Sequence, residues 1–202
     1  MQDINFDVLS DPFKFELIVL PCSCYQKKNG EVAYMKEGFI HSLLEKAPTL
    51  AHEMAKAVEE MGNCPAILSS IPKSTLPTKF CTFPVSPTSI RAEEPDRYVF
   101  SRLKGRFKKN SLLPGWTLLP RSDMVEFSSY KLSELIRYFK LSKVVIQFEA
   151  FTLDEDDMKV FERIRKIMEK HLRENIYIAH KPKNDGVGVQ SLTSGSTLTM
   201  EE

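Results

Sequence analysis

The chain has 202 residues, 42% of them hydrophobic and 27% charged, with a formal net charge of +1. That is enough chain for one sizeable core at ordinary globular composition, and the near-neutral balance excludes a nucleic-acid binder driven by bulk charge. The longest apolar run, residues 17–21, is far short of a membrane span. With polar Gln2 and Asp3 at the start, no signal peptide is expected.

In chain order, residues 4–9 read as a short strand, broken by Ser10, Asp11 and Pro12. Residues 15–20 read as a stronger strand through Leu17, Ile18, Val19 and Leu20, with Pro21 expected to end it because proline donates nothing to a ladder. A polar loop, 22–31, holds the turn dipeptide Asn29-Gly30. Residues 34–61 carry helical periodicity interrupted by Pro48, which predicts two helices. Gly62 and Asn63 are the stop signal.

Residues 66–69 and 80–85 are candidate strands around a Pro-rich connection, 72–77. Residues 86–127 have no clear period. They hold Pro87, Pro95, Pro114 and Pro120 and a basic run of Arg97, Arg102, Lys104, Arg106, Lys108 and Lys109, interleaved with Tyr98, Phe100 and Phe107. Residues 127–140 read as an amphipathic helix with Leu132, Leu135, Ile136 and Phe139 inward and Ser128 or Ser129 as cap.

The clearest stretch is 143–182. Val144, Val145, Ile146 and Phe148 suit a strand buried on both faces. Thr152 with Glu155 fits a capping box, and Val160, Phe161, Ile164, Ile167, Met168 and Leu172 follow at helical spacing. Residues 176–179 form a second strand, so the stretch is a parallel βαβ unit. Residues 183–202, rich in Gly, Ser and Thr, lack an apolar period and read as a disordered tail. The chain is therefore α/β, with a central mixed sheet between helices in three layers and one domain over residues 1–182. Ligands of such sheets bind beyond the carboxyl ends of strands. That points to three loops: 21–31, the one near Val85, and 149–154.

The four cysteines, Cys22, Cys24, Cys64 and Cys81, match no zinc spacing. They read as reduced thiols of a cytoplasmic or nuclear protein. Cys22, Ser23 and Cys24 sit at a strand mouth with no histidine nearby in sequence to activate a nucleophile. His41, His52, His171 and His180 show no metal-ligand spacing, and the acids from Asp154 to Asp157 suit a helix start better than a metal. No cofactor is implied. The basic stretch from Arg97 to Lys109 is either a solvated loop with a few core aromatics or a contact for nucleic-acid or nucleotide phosphates.

Several short motifs, in order, resemble the macro domain family of ADP-ribose-binding modules. Ser10-Asp11 is similar to the family's Gly-Asp, and residues 18–23, IVLPCS, to its IVNAAN. Residues 29–34, NGEVAY, are similar to GGGVAYA, and residues 62–66, GNCPA, to G-x-x-x-G. Residues 80–87, FCTFPVSP, resemble the strand yVIHTVGP, and the final βαβ unit stands where the family's does. The resemblance implies a macro-like module that binds ADP-ribose or a related nucleotide. Asp11 would contact adenine. Cys22, Ser23, Val85 and Ser86 would line the strand ends. The diphosphate would lie between Asn29, Gly30, Glu31 and Val32 on one side and Glu149, Ala150, Phe151 and Thr152 on the other.

The chain departs from the family at the chemistry. Residues 149–154 contain no glycine, the first loop keeps Gly30 alone, and Ser23 stands where active members have the asparagine used in hydrolysis. Side chains there obstruct close backbone approach, and Glu149 and Asp154 oppose an anion. These losses point away from a hydrolase and toward a binding module or a scaffold that has kept only the fold.

Overall fold

The computed structural model of the chain describes residues 1–5, 8, 10–11, 14–24, 39–68, 79–86, 89–91, 112–114, 120–147, 155–172 and 176–180. Its elements in chain order are β1 (Gln2–Asn5), β2 (Leu17–Ser23), α1 (Phe39–Lys46), α2 (Leu50–Met61), β3 (Ile67–Leu68), β4 (Lys79–Ser86), β5 (Ser89–Arg91), β6 (Leu112–Pro114), α3 (Ser122–Phe139), β7 (Val144–Gln147), α4 (Glu155–Glu169) and β8 (Ile176–His180). Six strands form one sheet in the order β1-β8-β7-β2-β4-β3, and β5 pairs with β6 apart from it. Every neighbouring pair in the large sheet is parallel except β3 with β4.

The two-residue period of the strands divides the core in two. Leu17, Val19, Cys81, Phe83, Val85, Val144 and Ile146 pack with Val125 and Leu132 of α3 and Ile164, Ile167 and Met168 of α4. Ile18, Leu20, Cys22, Phe80 and Val145 pack the other way, with Leu43 and Leu44 of α1 and Leu50, Met54 and Val58 of α2. The sheet is therefore the middle of three layers, as its doubly apolar strands require. Ile146 is fully buried at the helix–sheet interface, as expected. The side chain of Phe161, the disordered-tail reading of 183–202 and the basic stretch 97–109 lie outside the described residues.

Three boundaries differ from expectation. The first strand is Gln2–Asn5 rather than 4–9. β2 does not stop at Pro21 but continues to Ser23. Leu17 N–H donates to Lys143 O on the β7 side, and by the two-residue period position 21 faces that side too. Pro21 lies beyond the last described pair with β7, Val19 with Ile146, so its missing donor costs no described ladder bond.

The third difference is α3, which begins at Ser122 and not at 127. Ser128 and Ser129 are therefore interior and fully buried instead of capping. Ser129 Oγ donates to Val125 O at 2.6 Å, and Ser128 Oγ donates to Pro84 O at 2.7 Å, tying the helix to β4. The far end of α3 closes on Lys140, in the left-handed region at φ 52°. Leu141 N–H reaches Ile136 O at 3.0 Å and Lys140 N–H reaches Arg137 O at 3.3 Å, the paired bonds of a Schellman stop. Gly62, at φ 61°, ends α2 where the sequence places a stop, with its N–H on Val58 O at 2.8 Å.

At the amino edge of the sheet, Glu16 holds the entry to β7. One carboxylate oxygen accepts from Ser142 N–H at 2.5 Å, Ser142 Oγ at 3.0 Å and Lys143 N–H at 3.0 Å. The backbone bonds from Ser142 and Lys143 hold the Glu16 carboxyl below its ordinary value of 4.5. A lowered carboxyl pKa stabilises the fold fully above the unfolded value and loses that contribution as pH falls through the folded value. Glu16→Gln is thus expected to lower the urea midpoint at pH 7, with the gap to wild type closing on acidification below about 4.5. A gap that stays constant from pH 7 to pH 3 would show that the charge plays no part.

Candidate functional site

The carboxyl edge of the sheet brings together four of the residues singled out from sequence. β2 ends at Ser23 and β4 at Ser86, and the two strands pair up to these residues, with a register shift between Cys22 and Ser23. Cys24 N–H donates to Ser86 O at 2.8 Å, and Ser23 Oγ donates to the same oxygen at 3.4 Å. Cys22, Ser23 and Ser86 are fully buried and Val85 nearly so. Among the described residues the Ser86 hydroxyl has no hydrogen-bond partner.

Sequence reasoning missed the groups that complete this corner. Asn63 was legible only as a helix stop. Here Cys24 Sγ donates to its Oδ1 at 3.2 Å. Arg121 N–H donates to Val85 O at 2.9 Å, so the start of α3 sits on the end of β4. The Arg121 guanidinium is ion-paired with Asp123, which holds that carboxyl below its usual range. Arg163 of α4 donates from Nη2 to Ser122 Oγ at 2.8 Å, bracing the two helices beside the same edge. Nothing in the local sequence around Arg121 or Asn63 marks these roles, because each depends on an element distant in the chain.

The sheet order also sets a topological switch point. From β2 the chain passes through α1 and α2 to β3 and β4, on one side of β2 in the sheet. From β7 it passes through α4 to β8, on the other side. The carboxyl ends of β2 and β7 are therefore the topological switch point, where α/β sheets of this kind place ligands. Asn29, Gly30, Glu31 and Val32 follow β2 in sequence and Glu149, Ala150, Phe151 and Thr152 follow β7; all eight lie outside the described residues. Asp11 is exposed, in a turn closed by Lys14 N–H donating to its carbonyl at 3.4 Å.

The thiols at this edge are poorly suited to nucleophilic attack. Burial, with the neighbouring Cys24, pushes the Cys22 pKa far above the ordinary thiol range, and burial does the same to Cys81. The Cys24 thiol is pushed up to about 11 by burial. All four cysteines are free. Native protein at pH 7 is expected to leave Cys22 and Cys81 unlabelled by iodoacetamide, with Cys24 reacting only as pH approaches 11. Peptide mass mapping of the labelled sites checks this, and rapid labelling of Cys24 at pH 7 would restore a nucleophile to the site. No group of three or more His, Cys, Asp or Glu able to hold a metal occurs among the described residues. No described helix is long and apolar enough to cross a membrane.

No protein-family model matches the chain, and no curated protein does. Among solved structures it is similar to the macrodomain of Thermus aquaticus DarG, at 15% identity and a TM-score of 0.50, over 90% of this chain and 97% of that one. It is similar also to two Bacteroides thetaiotaomicron proteins. One has 14% identity and a TM-score of 0.51, over 89% and 98% of the two chains. The other, described as of unknown function, has 13% identity and a TM-score of 0.52, over 88% and 96%. What these likenesses establish is the architecture: this is a divergent macrodomain fold, a mixed six-stranded sheet between helical layers.

Proposed function

We propose that the chain is a macro-like binding module for ADP-ribose or a related nucleotide. The ligand lies at the carboxyl ends of β2 and β7, with its adenine toward Asp11 and its diphosphate between the segments that follow the two strands. The observation that carries the reading is the switch point between β2 and β7 in a fold shared with macrodomains. The segment leading into α4 supports it, since the positive end of a 15-residue helix favours an anion. Glu149 and Asp154 oppose that field, so binding is weak, micromolar or poorer, about −8 kcal/mol or less favourable.

Binding rather than hydrolysis is favoured by Ser23. It stands where the resemblance places a hydrolytic asparagine, yet it is fully buried and its hydroxyl turns to Ser86 O. The neighbouring thiols of Cys22 and Cys24 are held protonated by burial, so neither serves as a general base. The test is calorimetric titration with ADP-ribose, with AMP and a single-stranded oligonucleotide as controls. Saturable heat with ADP-ribose is the expected result. Heat with the oligonucleotide alone would move the site to the basic residues from Arg97 to Lys109. No heat with either at millimolar concentration would leave a scaffold that has lost its ligand.

A further inference from the structure

We propose that the outer flank of α3 is the interface of a two-fold dimer of this chain, independently of any nucleotide. Phe127, Lys131, Glu134 and Tyr138 are spaced i, i+4, i+7 and i+11, so they make one stripe along the helix. The inward side of α3 is already used, while Asp123, Tyr130 and Arg137 stay exposed beside the stripe. Met124, Val125, Ser128 and Leu132 are buried, and Glu126 faces α4 through Lys170 at 3.4 Å. The stripe stays open: Phe127 is 41% exposed and Tyr138 80%. Phe139, itself 44% exposed, meets Tyr138 edge-on at 5.0 Å and extends the aromatic end.

The charge pattern selects a second copy as the occupant. Lys131 and Glu134 lie at the middle of the stripe, paired at 2.9 Å, with one large aromatic beyond each. Turning the stripe end for end about its midpoint sets Lys131 opposite Glu134 and Phe127 opposite Tyr138. Two copies docked antiparallel through α3 would therefore match both charge pairs and both aromatic pairs at once. That is the self-complementarity an isologous interface requires. A helix of 18 residues is about 27 Å long. A contact of that length belongs to the small, weaker class of interfaces, so the dimer forms in the micromolar range.

The test is sedimentation of the full chain over about 1 to 300 micromolar, a span that brackets a micromolar constant. Wild type is expected to pass from monomer to dimer. Lys131→Glu sets two carboxylates against each other at both ends of the two-fold and should raise the dissociation constant at least tenfold; Glu134→Lys should do the same. The double exchange Lys131→Glu with Glu134→Lys restores opposite signs and should return the constant to within a few fold of wild type. Unchanged melting curves would separate lost association from lost folding, since none of the four residues of the stripe is buried. Wild type that stays monomeric throughout overturns the proposal and gives this face to another partner. Single reversals without effect, or a double exchange that fails to restore association, overturn it as well.

Discussion

Replacing Phe83 by alanine is expected to cost the fold about 3–5 kcal/mol, and Phe80→Ala about as much. Both rings are fully buried in the same strand but on opposite faces of it. Phe83 fills the layer under α3 and α4, where Val125, Leu132 and Met168 close around the sheet. Phe80 fills the layer under α1 and α2, beside Leu50, Met54 and Leu68. Neither layer can collapse freely into the space left, because β4 is held between β2 and β3. Domains of this size have about 5–15 kcal/mol in all, so either change removes a large share. Urea midpoints by circular dichroism measure it. A loss under about 1 kcal/mol, the level of surface changes, at either position would mean that the corresponding helical layer is not packed on the sheet.

Gly30→Glu is expected to abolish ADP-ribose binding, and Glu149→Gly to strengthen it about tenfold, roughly 1.4 kcal/mol. Both positions lie outside the described residues, and the expectation rests on the proposed site. The first change adds bulk and a negative charge to the segment meant to approach the diphosphate. The second removes a like charge and allows closer backbone approach. Asp11→Ala should weaken ADP-ribose while leaving ribose phosphate unaffected, since only the former carries adenine. Titrations of wild type and the three variants at fixed salt decide the matter. If wild type gives no heat and Glu149→Gly restores none, the nucleotide reading is lost.

Much of the architecture was legible because burial on two faces leaves a strong mark. Val144, Val145 and Ile146 are apolar in succession because alternate residues serve two separate cores. Ile164, Ile167 and Met168 keep helical spacing because one face of α4 must cover the sheet. The boundaries were less readable where tertiary contacts overrule local preference. Pro21 stays in β2, whose pairing with β4 runs on through Phe83 to Ser86. Ser128 looks like a cap in sequence and is a buried strut to Pro84 in the fold. Lys140 closes α3 with no glycine to announce it, the stop being secured by Leu141 and Ile136, which both pack against the core. Of the candidate site, Cys22, Ser23, Val85 and Ser86 were expected at strand ends, and they lie there in the fold. Asn63 and Arg121 were not, since their partners lie on other elements.

The parallel pairing of β1 with β8 has a consequence for how the chain is made. Gln2 lies against Tyr177 and Asn5 against His180, and Asp3 is bound to Arg165 of α4 at 2.7 Å. Among the described residues β1 thus has its sheet neighbour in β8, the strand farthest from it in sequence. Until β8 emerges, β1 has no template, and the other strands can assemble without it. Closing the sheet across nearly the whole chain is the kind of non-local step that slows folding. A nascent chain stopped short of β8 would hold a finished middle and a loose β1, and full protection of the β1 amides would arrive only with β8.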